Sequence, residues 1–264
     1  MNKVLIILLL ISFGSQSQEL VQFVNAESKQ AIPLVTIQVG KKIFYADIKG
    51  QADQSIFAQD KEYRISSMAY KPLSLKGPLL QDTIEMEMQA IQLKEVEVKP
   101  VEQRKERSLG FFRKSSFPPT TFIGRDSLFL CVHIENEYKQ PKLIGEILFR
   151  FKQVAESQQF LALLFECTSD QKPGKVIYSR LVETEGLKDK ARVSILAENH
   201  YLPKEGLFVG FAWVADDAKG INLYDELRVK MVKERNQNPA FMFYKGEWVS
   251  LLPGVPRFGL TIYE

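Results

Sequence analysis

Apolar and polar residues alternate with a period of two through much of this chain. Residues 34–39 (Leu-Val-Thr-Ile-Gln-Val) alternate, Gly40-Lys41-Lys42 can turn the chain, 43–47 continue the pattern and Lys49-Gly50 supplies the next turn. Further on, Ile84, Met86 and Met88 point one way while Glu85 and Glu87 point the other, which predicts a strand with one buried and one wet face. Val96 and Val98 repeat the pattern. About seven short strands in roughly 80 residues, with hardly a helical run among them, predict a small antiparallel sandwich.

Pro118-Pro119 open a second strand-rich stretch. Leu128, Leu130, Val132 and Ile134 alternate with Phe129, Cys131, His133 and Glu135, and Ile147, Phe149 and Phe151 alternate with Leu148, Arg150 and Lys152. Residues 160–167, until Glu166, and 207–214 are apolar on both faces, as interior strands are, and the second run carries Trp213. Residues 172–175 (Lys-Pro-Gly-Lys) read as a turn, and 241–250 read as a hairpin about Lys245-Gly246. Some eight to ten strands over roughly 145 residues predict a jelly-roll-like, two-sheet sandwich. The fold class is therefore all-β, with two β-sandwich domains.

Composition sets the surroundings. With 264 residues, 45% hydrophobic and 25% charged, the chain has a globular composition. Residues 1–17 stand apart: Lys3 precedes a short apolar run, 4–13, broken only by Ser12, and Ser15 and Ser17 place small residues before a cut at Gln18. This is the pattern of a secretory signal peptide, too short to span a bilayer core, so no transmembrane segment is expected after cleavage. Residues 18–98 carry 9 Lys/Arg against 11 Asp/Glu, and 115–264 carry 19 against 19. The excess falls between them, where Lys99, Arg104, Lys105, Arg107, Arg113 and Lys114 face only Glu102 and Glu106. Two readings are open: a solvated linker held extended by self-repulsion, or a contact for an anionic surface. The expected organisation is a signal peptide at 1–17, a sandwich at 18–98, a basic linker at 99–119 and a second sandwich at 120–264. Protease would cut first within 99–114. An exported chain makes nucleic acid an unexpected partner.

Three segments carry a resemblance. Residues 31–37 (Ala-Ile-Pro-Leu-Val-Thr-Ile) resemble the proline-leucine opening strand of the carboxypeptidase regulatory-like domain, 45–50 (Tyr-Ala-Asp-Ile-Lys-Gly) its aspartate-glycine turn, and 63–70 its serine- and tyrosine-bearing strand. Residues 93–98 (Leu-Lys-Glu-Val-Glu-Val) are similar to the segment that closes this domain in Bacteroidota outer-membrane proteins. Ala46 and Ala69 stand where threonine and glycine are usual. The resemblance covers about a third of the chain and implies a transthyretin-like accessory sandwich that brings no catalytic residue. The turn at 170–175 and the strand at 206–213 also look like those of uncharacterised sandwich domains that follow such modules in exported Bacteroidota proteins.

Candidate chemistry is sparse. His133 and His200 lie 67 residues apart, without metalloprotease spacing, and neither a nucleophile elbow nor a phosphate loop is present. No catalytic residue, cofactor or peptidase activity is expected. Asp216 and Asp217, with Asp225 downstream, could offer oxygens to calcium or simply form a polar turn. Cys131 and Cys167 could close a disulfide loop of about 35 residues, which stabilises by about 3 to 4 kcal/mol, or could be two buried small hydrophobes. Tyr244 and Trp248, near a hairpin tip, could form a sugar-stacking platform. The expected function is a non-enzymatic, exported binding or assembly protein of the bacterial envelope that contacts an outer-membrane or cell-surface protein through strand edges and hairpin tips. The alternatives are a carbohydrate-binding accessory protein using Tyr244 and Trp248, and a hydrolase with two carboxylates converging in a cleft.

Overall fold

A computed structural model describes residues 19–68, 70–89, 105–113, 120–123, 128–138, 140–154, 158–214, 227–233, 240–244, 247–251 and 254–264. Residues 1–17, expected as a signal peptide, Val96, Val98 and the candidate calcium ligands Asp216, Asp217 and Asp225 lie outside these residues.

The first sandwich has the expected seven strands: β1 (Leu20–Asn25), β2 (Thr36–Val39), β3 (Lys42–Tyr45), β4 (Gln51–Asp53), β5 (Glu62–Ser66), β6 (Leu73–Lys76) and β7 (Thr83–Met86). They form a three-stranded sheet, β4-β1-β7, and a four-stranded sheet, β3-β2-β5-β6. One pair departs from the antiparallel expectation: β1 and β7 run parallel, with Phe23 opposite Ile84. The chain between them crosses through the other sheet, which is the long connection a parallel pair needs. Period-two alternation sends Val21 and Phe23, Ile37, Tyr63 and Ile65, and Ile84 and Met86 into one core. The strand ends at Met86, so Met88, expected on the buried face, is 60% exposed.

The second sandwich contains more strands than expected: β8 (Glu106–Gly110), β9 (Thr120–Ile123), β10 (Phe129–Ile134), β11 (Lys142–Gln153), β12 (Gln159–Cys167), β13 (Pro173–Glu183), β14 (Lys190–Ser194), β15 (Tyr201–Leu202), β16 (Leu207–Val214), β17 (Arg228–Lys233), β18 (Ala240–Tyr244), β19 (Glu247–Ser250), β20 (Gly254–Pro256) and β21 (Phe258–Tyr263). A six-stranded sheet, β13-β12-β16-β10-β18-β19, faces an eight-stranded sheet built on β20-β17-β11-β21-β8, with β14 and β15 added to β11 and β9 to β17. Their inner faces meet in an aromatic core, where Phe160 stacks on Phe211 at 4.9 Å and Phe149 meets Phe258 edge-on at 4.9 Å. Trp213 is buried there and its indole N–H donates to Leu227 O at 2.9 Å.

β8 falls inside the range expected as a linker. It pairs antiparallel with β21 from Glu106 opposite Tyr263 to Gly110 opposite Gly259, and Arg107 holds Glu264 at 2.8 Å. The second sandwich therefore begins by Glu106, and its strand pairing shields 106–110 from the protease cut expected there. An edge strand carries charges because one of its faces and one of its edges meet water, which is why its composition resembles a linker's.

Candidate functional site

The six-stranded sheet is apolar on both faces for a reason outside its own sandwich. Along β16, Leu207, Val209, Phe211 and Trp213 enter the core, whereas Phe208 and Ala212 face the other way. Phe129 and Cys131 of β10 and Leu161, Leu163 and Phe165 of β12 share that second face. Leu34 and Tyr45 of the first sandwich cover it, and the three sets form a third apolar cluster between the domains. Gly210 opposes both Cys131 and Leu163 on this face, and a Cβ there would collide with the Phe165 ring.

Tyr45, the last residue of β3, is the centre of this seam. Its ring meets Phe243 at 5.1 Å, Phe129 at 5.7 Å, Phe165 at 5.8 Å and Trp248 at 6.0 Å, all nearly edge-to-face. Its hydroxyl donates to Gly174 O at 2.6 Å and accepts from Trp248 Nε1 at 3.4 Å. Burial pushes the phenol far above its ordinary range, so it stays protonated and remains a donor.

Beside the seam lies a cleft of about 590 Å³, walled by three turns. The β2–β3 turn supplies Lys41 and Lys42, the β12–β13 turn supplies Asp170 and Lys172, and the β18–β19 hairpin supplies Glu247 and Trp248. Gly40 has φ +60°, a left-handed turn conformation that suits glycine. Across the domain boundary Lys42 Nζ meets Glu247 Oε1 at 3.0 Å, an exposed pair that fixes register more than it stabilises.

The structure places the sequence candidates differently. In the hairpin, Phe243 lies opposite Trp248 and Tyr244 opposite Glu247. Neighbouring residues of a strand project to opposite faces, so Tyr244 and Trp248 cannot share a sugar platform. Trp248 is committed to the seam, while Tyr244 is half exposed on the other face. The disulfide is also corrected: Cys131 and Cys167 are both free. β16 separates their strands, and Leu163, not Cys167, shares Gly210 with Cys131. Two interstrand steps of about 4.8 Å and four residues along the strand exceed the roughly 7 Å that a disulfide can bridge. Burial raises the thiols of both cysteines, most strongly Cys131, so both are protonated.

His133 lies against Phe208 with Nε2 at 3.1 Å from Glu205 O, and His200 lies edge-on to Tyr178. Burial lowers the pKa of both imidazoles. Among the described residues, no three His, Cys, Asp or Glu side chains are grouped to hold a metal ion, and no helix is long and apolar enough to cross a membrane.

No family model matches the chain, and no curated protein matches it. Among solved structures, the clostridial cysteine protease Cwp84 after propeptide cleavage is 10% identical with a TM-score of 0.44, covering 93% of this chain and 70% of that one. The cysteine protease and lectin-like domains of Cwp84, a surface layer associated protein of Clostridium difficile, are 9% identical with a TM-score of 0.41, covering 83% of this chain and 48% of that one. These likenesses assign neither a family nor an activity to the chain.

Proposed function

We propose that this chain is a non-catalytic, exported binding or assembly protein of the bacterial envelope, which engages a protein partner at the cleft between its two sandwiches. The observation that carries the reading is the cleft itself. Its walls come from both domains, Tyr45 ties those domains together, and opposed charges at Lys41, Lys42, Asp170, Lys172 and Glu247 suit recognition by electrostatic complementarity. Glu247 is occupied by Lys42 in an exposed ion pair, an arrangement for recognition rather than proton transfer. The signal-peptide pattern of residues 1–17 and the resemblance of residues 19–100 to a carboxypeptidase regulatory-like module support the envelope setting.

Carbohydrate binding was the competing reading, and it loses its aromatic pair because Tyr244 and Trp248 face apart. The test pairs affinity purification from native envelopes with a glycan array, using a Lys41→Glu, Asp170→Lys variant that exchanges the charges on two walls of the cleft at constant net charge and leaves the seam untouched. Recovery of a specific envelope protein by the natural chain, lost in the variant, is the expected result. Strong glycan binding with no protein partner would overturn the proposal.

A further inference from the structure

A second cluster lies on the far side of the molecule, on the outer face of the eight-stranded sheet. Phe149 and Phe151 enter the core, so Arg150 between them faces out. On β17 the same alternation buries Val229 and Met231 and turns Lys230 outward, and Phe151 lies opposite Val229. The amide of Arg257 donates to Lys230 O at 2.9 Å, which brings a third cation to this face. Residues 111–113 then fold back over the sheet: Phe111 N–H donates to Phe258 O at 2.8 Å, and buried Phe112 packs over Gly259. The Arg150 guanidinium lies 4.8 Å from the Phe112 ring centroid, and Arg257 Nη2 donates to Phe112 O at 3.1 Å.

Charge is unbalanced here. Asp189 meets Arg150 at 2.6 Å and Lys230 at 3.7 Å, and Lys190 lies beside Arg150 in register. Four cations thus surround one carboxylate among the described residues. Burial works to raise the Asp189 carboxyl, but Arg150, Lys230 and Lys190 together hold it below its ordinary value. Burial first and the Arg150 charge second lower the Arg257 guanidinium, with Asp189 opposing them. The Nε atoms of Arg150 and Arg257 are buried without an acceptor. Those two atoms are closed to solvent, but the Arg150 and Lys230 side chains keep 26% of their surface exposed, so the positive surplus itself is open to an anion.

We propose that Arg150, Lys230 and Arg257 form a binding site for a phosphate-bearing ligand, separate from the interdomain cleft. A phosphate presents several acceptor oxygens to two guanidinium forks and an ammonium, and neutralises their mutual repulsion. Asp189 occupies part of the site and competes with the ligand. The phosphate can come from a lipid headgroup or from a free phosphorylated molecule.

The experiment titrates the full chain at low salt with inorganic phosphate by calorimetry, and separately with phosphatidylcholine vesicles with and without phosphatidylglycerol. Phosphate binds, Arg257→Gln and Lys230→Gln each weaken it by about tenfold or more, and Asp189→Asn strengthens it. Cleft variant Lys172→Gln leaves it unchanged. A purely structural ion-pair cluster would not gain affinity on losing Asp189. Vesicle binding that rises with phosphatidylglycerol and falls in the same variants identifies a headgroup; phosphate binding without vesicle binding identifies a free ligand. Binding of neither probe, or binding that Arg257→Gln and Lys230→Gln leave intact in variants melting like the natural chain, overturns the site.

Discussion

The first sandwich buries twelve side chains in its own core and the second buries twenty-seven, counted among the described residues. A unit as small as the first supplies little net stability alone, because so small a fold buries too little apolar surface to offset its ordering entropy. The second sandwich is large enough to stand and still leaves much of the second face of its six-stranded sheet apolar. The seam answers both needs at once, since the first sandwich gains a third cluster and the second gains cover for Phe129, Leu163, Phe165 and Phe208. The lesson is that a two-faced apolar strand signals a partner surface, which here is another domain of the same chain.

Removing Tyr45 should break this dependence. Tyr45→Ala deletes a buried ring with four aromatic neighbours and orphans Gly174 O, a change of the kind that costs about 3 to 5 kcal/mol. We expect differential scanning calorimetry to show two transitions, the first sandwich melting earlier. A single transition shifted as a whole would mean that the domains stay coupled through other contacts. Gly210→Ala attacks the same seam from the other side by forcing Phe165 to move, and overpacking of this sort costs about 1 to 3 kcal/mol. Its urea midpoint should fall. Tyr45→Phe keeps the ring and removes only the hydroxyl that serves Gly174 O, so a smaller loss of about 1 kcal/mol is expected from the same measurement.

Much of this contrast was legible beforehand. Period-two alternation marked β2, β7, β10 and β11, and the doubly apolar runs marked β12 and β16 as interior. The hairpin at 241–250 was also legible, and its two-residue loop already implied that Tyr244 pairs with Glu247 and Phe243 with Trp248. That register puts Tyr244 and Trp248 on opposite faces of the hairpin. Strand order was not legible, because it depends on crossovers with no local sequence mark. For that reason Cys131 and Cys167 could not be placed on strands separated by β16, and Arg150 could be read as outward-facing without its meeting Arg257. Tyr45 was missed because Ile43-Phe44-Tyr45 reads as an ordinary strand; only the unexplained second apolar face of β12 and β16 pointed to it. β8 was missed because its charges outweigh its single apolar residue, Leu109.

The smallest effect sharpens the comparison by pH. Both histidines belong to the second sandwich, and the first has none. Burial holds His133 and His200 below their ordinary pKa in the folded state, with the Glu205 carbonyl and Glu135 opposing it at His133 and Glu198 at His200. The unfolded chain therefore takes up protons first, so stability is full above about pH 6.5 and declines as pH falls through that value toward the lowered folded pKa values. In Tyr45→Ala, where the two transitions separate, moving from pH 7.5 to 5.5 should lower the melting temperature of the second sandwich and leave the first nearly in place. His133→Gln, His200→Gln should flatten that response, with ordinary carboxylates titrating mainly below this window. Equal acid shifts in both transitions would show that groups other than the two imidazoles carry the pH dependence.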